Sequence, residues 1–125
     1  MKTSRMTEPS DAYRKGLIGE EKALEYLLDL GMKLLETRYH SPYGEIDLVM
    51  ADADGIAFVE VKSRTKGTKG TGLVAITRTK QRRLIRTALY YIAEHGYAGV
   101  MRFDALEITS AGIHYIKNAF EAWEE

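Results

Sequence analysis

The 125-residue chain has no cysteine, two prolines and one tryptophan, and its 18 basic and 18 acidic residues leave no formal net charge. Without cysteine there is no disulfide, no thiolate metal ligand and no thiol nucleophile. No stretch approaches the roughly 18 apolar residues needed to cross a bilayer. The start, Met1-Lys2-Thr3-Ser4-Arg5-Met6, leads into polar sequence instead of the apolar run of about 7–15 residues that marks a signal peptide. A cytoplasmic protein with no membrane partner is expected. Internal repeats and low-complexity tracts are lacking too. The length and the 45% hydrophobic content fit one ordinary domain over residues 1–125, with 1–9 as a flexible terminus.

Taken alone, zero net charge argues against a polyanionic partner. The distribution argues for one. From Lys62 to Arg86 the sequence carries nine of its eighteen cations (Lys62, Arg64, Lys66, Lys69, Arg78, Lys80, Arg82, Arg83, Arg86) and no Asp or Glu. Local potential, not net charge, acts within a Debye length, so such a segment can steer a phosphate backbone.

Hydrophobic spacing predicts a helix from Ser10-Asp11 to Leu30, closed by Gly31, with Ala23, Tyr26, Leu27 and Leu30 as its buried stripe. Glu20 falls beside that stripe. Gly16 and Gly19 inside the helix suggest a close approach of backbone or ligand. Three strands are expected next: Met32–Arg38, Gly44–Met50 and Ile56–Arg64, the last two joined by a turn in Ala51-Asp52-Ala53-Asp54-Gly55. Lys66–Gly72 reads as a mobile basic loop. A second helix follows from Arg78 to Glu94, ending at Gly96, with Leu84, Ile85, Ala88, Leu89 and Ile92 facing the core. Strands at Met101–Ile108 and, briefly, Ile113–Ile116 complete an α/β domain with a mixed sheet flanked by helices.

The chemistry concentrates on two adjacent strands. If the hairpin turns near Asp54, Asp47 lies opposite Glu60 or Val61, and Lys62 points the same way as Glu60. Two carboxylates pressed together in an apolar setting repel, and burial raises that cost. A hard divalent cation removes it, since Mg²⁺ accepts one or two protein carboxylates and keeps waters for a phosphate. The alternative is an ordinary Glu60–Lys62 pair on a solvated strand with Asp47 on the hairpin's outer face. Against it stand the apolar character of the third strand, the approach of Glu20 and the basic segment that begins at Lys62.

Five motifs, Gly19-Glu20-Glu21-Lys22-Ala23, Gly44-Glu45-Ile46-Asp47-Leu48-Val49, Phe58-Val59-Glu60-Val61-Lys62-Ser63-Arg64, Lys80 and Arg102-Phe103-Asp104, resemble in their order and spacing the YraN-like family. That family consists of small predicted endonucleases of the PD-(D/E)xK, restriction-endonuclease-like superfamily, and the likeness covers about residues 13–110. It implies a metal-dependent DNA endonuclease with Mg²⁺ or Mn²⁺ as cofactor. Asp47, Glu60 and the Val61 carbonyl would be ligands, Lys62 the catalytic lysine, and Glu20 a further or water-mediated ligand. Lys80 would meet a DNA phosphate at a helix N-terminus, with Arg64, Lys66, Lys69, Arg78 and Arg82 as further contacts. Superfamily members that resolve Holliday junctions make branched DNA a candidate substrate, and a homodimer a candidate assembly, by analogy. The chain departs from the family pattern at Arg38-Tyr39-His40 and in the Gly/Thr/Lys-rich loop after Arg64.

Other signals are discounted. The glycine loop lacks the Lys-Ser/Thr of a phosphate-binding P-loop. His40, His95 and His114 lack metal-ligand spacing, and Tyr90-Tyr91 are expected in the core more than as base-stacking platforms. Glu45 is a neighbour of the metal site or simply polar. Arg82, Arg83 and Arg86 are either a DNA-facing or a merely solvated helix face, and Arg102 with Asp104 is expected to be a structural ion pair. Two functions compete with the nuclease: a non-catalytic nucleic-acid-binding module of the same fold, and a purely structural interaction protein.

Overall fold

The computed structural model describes residues 11–64 and 76–123. Helix α1 (Asp11–Asp29) is followed by strands β1 (Lys33–Ser41), β2 (Gly44–Asp52) and β3 (Gly55–Ser63), helix α2 (Arg78–His95), and strands β4 (Met101–Thr109) and β5 (Gly112–Phe120). The strands form one mixed sheet in the order β1-β2-β3-β4-β5. Only β3 and β4 run parallel, joined through α2; the other neighbours are antiparallel. The expected α/β architecture is therefore present. Ser10 and the segment 66–72, expected respectively as a helix cap and a mobile loop, lie outside the described residues, as does the terminus 1–9.

The central strands are apolar on both sides because each side is covered by a helix. On one face Ala23 and Leu27 of α1 pack on Leu48, Met50, Ala57, Val59, Leu106 and Ile108. On the other, Leu84, Ile85, Ala88 and Tyr91 of α2 pack on Val49, Ile56, Phe58, Phe103 and Ala105. Leu30, expected in the α1 stripe, is exposed. The helix has already ended at Asp29, and Gly31, at φ 93°, turns the chain away before another helical step brings Leu30 inward. Leu89 is exposed likewise, and Tyr91 takes its place in the α2 core. Adjacent helical residues point about 100° apart, so the expectation of buried tyrosines holds for Tyr91 and fails for Tyr90.

Of the two glycines read as close approaches, Gly19 is one and Gly16 is not. A Cβ at Gly19 would sit 3.0 Å from the Ser63 Cβ, whereas nothing among the described residues lies within 4 Å of one at Gly16. The missing side chain at Gly19 thus brings the middle of α1, and with it Glu20, against the end of β3.

Both outermost strands run past their expected ends. β1 continues to Ser41, and β5 spans nine residues instead of four. Both are sheet edges with largely exposed, polar-interrupted sequences, so ladder hydrogen bonds extend them beyond what hydrophobic alternation signals. Between β2 and β3 the turn is tight: Asp52 pairs with Gly55, and Asp52 Oδ1 accepts the Asp54 N–H at 2.9 Å. The resulting register places Leu48 opposite Val59, so the next step along sets Asp47 toward Glu60, the first of the two expected alternatives.

Candidate active site

The β2–β3 ladder stops at Leu48 and Val59. Beyond it the Asp47 carboxylate bridges the strands, Oδ2 accepting the Val61 N–H at 2.8 Å. A side chain thus does the work of the next ladder bond, which anchors Asp47 beside the end of β3. Glu60 is buried on β3, and two ammonium groups reach its Oε2: Lys80 Nζ at 3.3 Å and Lys62 Nζ at 3.9 Å. Gly44, Glu45, Asp47, Lys80, Arg83 and Leu84 line a cavity of about 250 Å³ at this end of the sheet.

The electrostatics reveal conflict among the acids. Burial, then the neighbouring Glu60 carboxylate, push the Asp47 carboxyl up to about 7, against the opposing pull of the Val61 N–H and Lys80. Glu20 is also raised, first by desolvation, although Arg38 counteracts it. Arg38 Nε donates to Glu20 Oε1 at 3.0 Å, and Glu45 and Glu60 act on Glu20 electrostatically. Glu45 lines the cavity with Asp47 and lies 3.5 Å from His40 Nε2.

These residues are brought together by three elements. α1 carries Glu20, the splayed ends of β2 and β3 carry Asp47, Glu60 and Lys62, and the first turn of α2 carries Lys80. Thr77 caps α2, its hydroxyl accepting the Lys80 N–H at 3.1 Å. The cap fixes the direction in which Lys80 leaves the helix. Among the described residues, no group of three or more His, Cys, Asp or Glu side chains converges as a ready-made metal cage. The donor set is instead two carboxylates, the adjacent backbone and open space, which suits a hard, partly hydrated cation such as Mg²⁺ or Mn²⁺.

The predicted phosphate contacts divide. Lys80 sits in the carboxylate cluster itself. Arg78 stacks on Trp123, 3.7 Å from the ring centroid, with Arg82 5.6 Å from the same ring. Trp123 in turn donates its indole N–H to Gln81 Oε1 at 2.9 Å, so the segment after β5 returns to the start of α2. Arg64 lies 3.6 Å from Glu107. Lys66 and Lys69 fall outside the described residues. Arg102 and Asp104 form the expected ion pair, away from this cluster, with Asp52 and Tyr115 as additional members.

Two residues near the site were missed from sequence. Arg38, which holds Glu20, adopts φ 49° inside β1, a kink with no sequence signature. Glu107, 1% exposed, stands opposite Lys62 on β4. Its signal was available: a lone acid in the apolar run Ala105-Leu106-Glu107-Ile108 is as conspicuous as Glu60 in β3.

Because Lys80 Nζ lies 3.3 Å from the Glu60 oxygen that a cation would use, it competes with any cation there. Lys80→Gln is expected to tighten Mn²⁺ binding by on the order of tenfold, about 1.4 kcal/mol, measured by titration calorimetry. A weaker or unchanged affinity would show that the ammonium and the cation do not share Glu60.

A larger cavity, about 580 Å³, opens at the other end of the sheet between Leu35, Ile56, Tyr91, His95 and Tyr97. Its one lining carboxylate, Asp52, is already bound to Arg102, so its size does not make it the better reaction site. No helix of the described residues is long and apolar enough to cross a membrane.

Comparison with known proteins places this chain. The solved structure of Pyrococcus furiosus SfsA in complex with Ca²⁺ is similar over 86% of this chain and 64% of its own, at 15% identity and a TM-score of 0.37, too loose a likeness to support an inference. A UPF0102 protein of Chromohalobacter salexigens is 36% identical over 118 residues, 91% of this chain and 96% of that protein. One from Persephonella marina is 41% identical over 110 residues, covering 86% and 93%, and one from Moorella thermoacetica is 40% identical over 114, covering 86% and 95%. Residues 19–108, which contain Glu20, Asp47, Glu60, Lys62 and Lys80, match the family described as Uncharacterised protein family UPF0102. The chain belongs to the UPF0102, or YraN, family.

Proposed function

We propose that this protein is a metal-dependent nuclease that hydrolyses DNA phosphodiester bonds, with Asp47 and Glu60 holding Mg²⁺ or Mn²⁺. The observation that carries the reading is the meeting of two carboxylates at the splayed ends of β2 and β3: Asp47, on the cavity wall, bridges to the Val61 N–H while Glu60 is buried on the facing strand, and burial with the neighbouring Glu60 pushes the Asp47 carboxyl up to about 7, a cost that a cation would relieve. Held there with the help of the Val61 carbonyl, a divalent cation would supply Lewis acidity to a phosphoryl oxygen and a more acidic bound water.

The chain's own groups supply the rest. Lys62, near Glu60 and half-buried, would hold the oxygen of the attacking water or the negative charge developing on the phosphate. Lys80 can leave Glu60 for a substrate phosphate at the start of α2, where the helix dipole also favours an anion. The first turn of α2 contains no acid. Its cations therefore face the positive helix end, an arrangement that an anionic partner improves. Glu20, fixed by Arg38, borders the cluster as an acceptor for a metal-bound water.

The decisive test pairs two measurements. Mn²⁺ titrated calorimetrically into wild type is expected to bind, and binding should vanish in the Asp47→Ala, Glu60→Ala double variant. Supercoiled and branched DNA should be cut with Mg²⁺ or Mn²⁺ by wild type and not by either single variant. Equal cutting by wild type and variants would remove Asp47 and Glu60 from the chemistry.

A second reading, a non-catalytic nucleic-acid-binding module, draws on the ion pairs that both Lys62 and Lys80 make with Glu60. It predicts binding whose log affinity falls linearly with log salt, without cleavage under any metal.

A further inference from the structure

Beyond the carboxylate cluster, α2 carries an exposed aromatic patch. Tyr90 is 41% exposed, Leu89 52%, and Tyr43, at the tip of the β1–β2 hairpin, 48%. The two tyrosine rings meet edge to face with centroids 6.4 Å apart, and the Arg86 guanidinium lies 5.7 Å from the Tyr43 ring. Tyr43, Arg86, Leu89 and Tyr90 enclose a recess of about 530 Å³. The tip is held in place: Ser41 and Thr87 hydroxyls are 2.9 Å apart, and the Ser41 oxygen accepts the Tyr43 N–H at 3.0 Å. A loop tip tied to a helix in this way presents its aromatic ring in a fixed position at little further entropic cost.

The patch is continuous with the candidate active site. Lys80, Arg83, Arg86 and Tyr90 recur at steps of three, three and four along α2, so they lie along one side of the helix. Lys80 and Arg83 line the Asp47 cavity, and Arg86 and Tyr90 line the aromatic recess. From Lys80 to Tyr90 the axial distance is about 15 Å at 1.5 Å per residue, the span of about four stacked nucleotides at 3.4 Å each. Cations followed by aromatic faces are how proteins track a single strand: charge on the phosphates, rings on the bases. A duplex keeps its bases stacked inside and offers none to such rings.

We propose that Tyr43 and Tyr90 form a stacking platform for an unpaired nucleobase, about four nucleotides from the cleavage position, and that it selects DNA with single-stranded or splayed segments over uninterrupted duplex. This deepens the nuclease reading and rests on it for the direction of the strand across Arg83 and Lys80. Because the rings meet at 70°, a base stacked on the face of one is walled by the other, and the Arg86 guanidinium adds a cation beside Tyr43.

The test measures binding without cleavage. Fluorescence anisotropy in the presence of a chelator compares a labelled duplex with the same duplex carrying a short single-stranded gap, for wild type, Tyr43→Ala, Tyr90→Ala, the double alanine variant and the two Tyr→Phe variants. Wild type is expected to prefer the gapped DNA. The double alanine variant should lose about tenfold in affinity for gapped DNA, within the range for base–aromatic stacking, with duplex binding unchanged. Both phenylalanine variants should retain the preference, because the ring is what acts. Equal losses on both DNAs, or none, overturn the platform. Parallel cleavage assays with Mn²⁺ separate the two claims. Wild type that cuts DNA while Tyr→Ala changes neither preference nor affinity leaves the nuclease and removes the platform. Selective binding of gapped DNA without any cutting does the reverse, and no binding to either DNA removes both.

Discussion

Asp47→Asn is expected to stabilise the metal-free protein at pH 8 while reducing cleavage by more than about a hundredfold, beyond the range for residues that only support a metal ligand. The stability gain follows from the sign of the titration. A carboxyl raised from an ordinary value to about 7 in the folded chain contributes stability that is fully present below its unfolded value and lost as pH rises through about 7. At pH 8 the folded protein therefore bears the full cost of an ionised Asp47 beside Glu60, roughly 2–4 kcal/mol. Asparagine removes the charge and keeps an oxygen for the Val61 N–H. Thermal unfolding in chelator should show the variant melting above wild type at pH 8, with the difference shrinking toward pH 4. Adding Mn²⁺ should raise the melting temperature of wild type alone, because only the native state of the intact site binds it. A variant that melts at or below wild type at pH 8 would falsify the carboxylate conflict, and with it the physical case for a cation.

Arg102→Met is expected to cost about 3–5 kcal/mol, the penalty for leaving a buried charge without its partner. Arg102 donates from Nε to both oxygens of Asp104 at 3.0 and 3.1 Å, and from Nη1 and Nη2 to Asp52 at 3.2 and 2.9 Å. Asp104 is 1% exposed and also accepts from the Tyr115 hydroxyl and the Asn118 N–H. One guanidinium thus clamps β4 to the end of β2, while the aspartate binds β5. Methionine preserves most of the stem's apolar packing, so the loss reads out charge and hydrogen bonds. A drop of about 15 °C in melting temperature is expected for a domain this size. Asp104→Asn added to Arg102→Met should recover part of the loss by removing the stranded charge. Asp52 is lowered chiefly by its hydrogen bond from Arg102, so its share of stability is present above the unfolded carboxyl value and lost as pH falls through the folded one. The variant should lack that contribution to acid sensitivity. Metal binding at the other end of the sheet should be unchanged in the folded variant, and a lost Mn²⁺ site would show that this network supports the active site as well.

The contrast between these two clusters shows what is legible in a linear chain. Both are acids and bases in apolar strands, and both were recognisable as anomalies. Glu60 and Lys62 stand two apart on a strand, so period-two alternation assigns them one face before any folding is known. The tight turn at residues 53 and 54 then brings Asp47 beside them, because a hairpin's register follows from its loop length. The alternation of elements, the two-sided burial of β3, the end of α1 near Gly31 and the ion pair Arg102–Asp104 were legible for the same reason: each rests on interactions between residues close in sequence or on one simple period.

Local patterns in the chain thus define an α/β domain with a charged centre on its second and third strands and a basic segment after it. Which cation serves which partner follows from the packed fold alone. Within the chain the ammonium of Lys80 lies on Glu60, and the guanidinium of Arg78 lies on Trp123, 45 positions later, pairings that no local pattern announces. Glu20 is held by Arg38, and Tyr43 meets Tyr90 across more than a third of the sequence. Such pairings depend on how helices are rotated and where edge strands end, and those are set by packing of the whole core, not by any local period. Long, flexible cationic side chains in particular have no preferred partner until the fold puts one within reach.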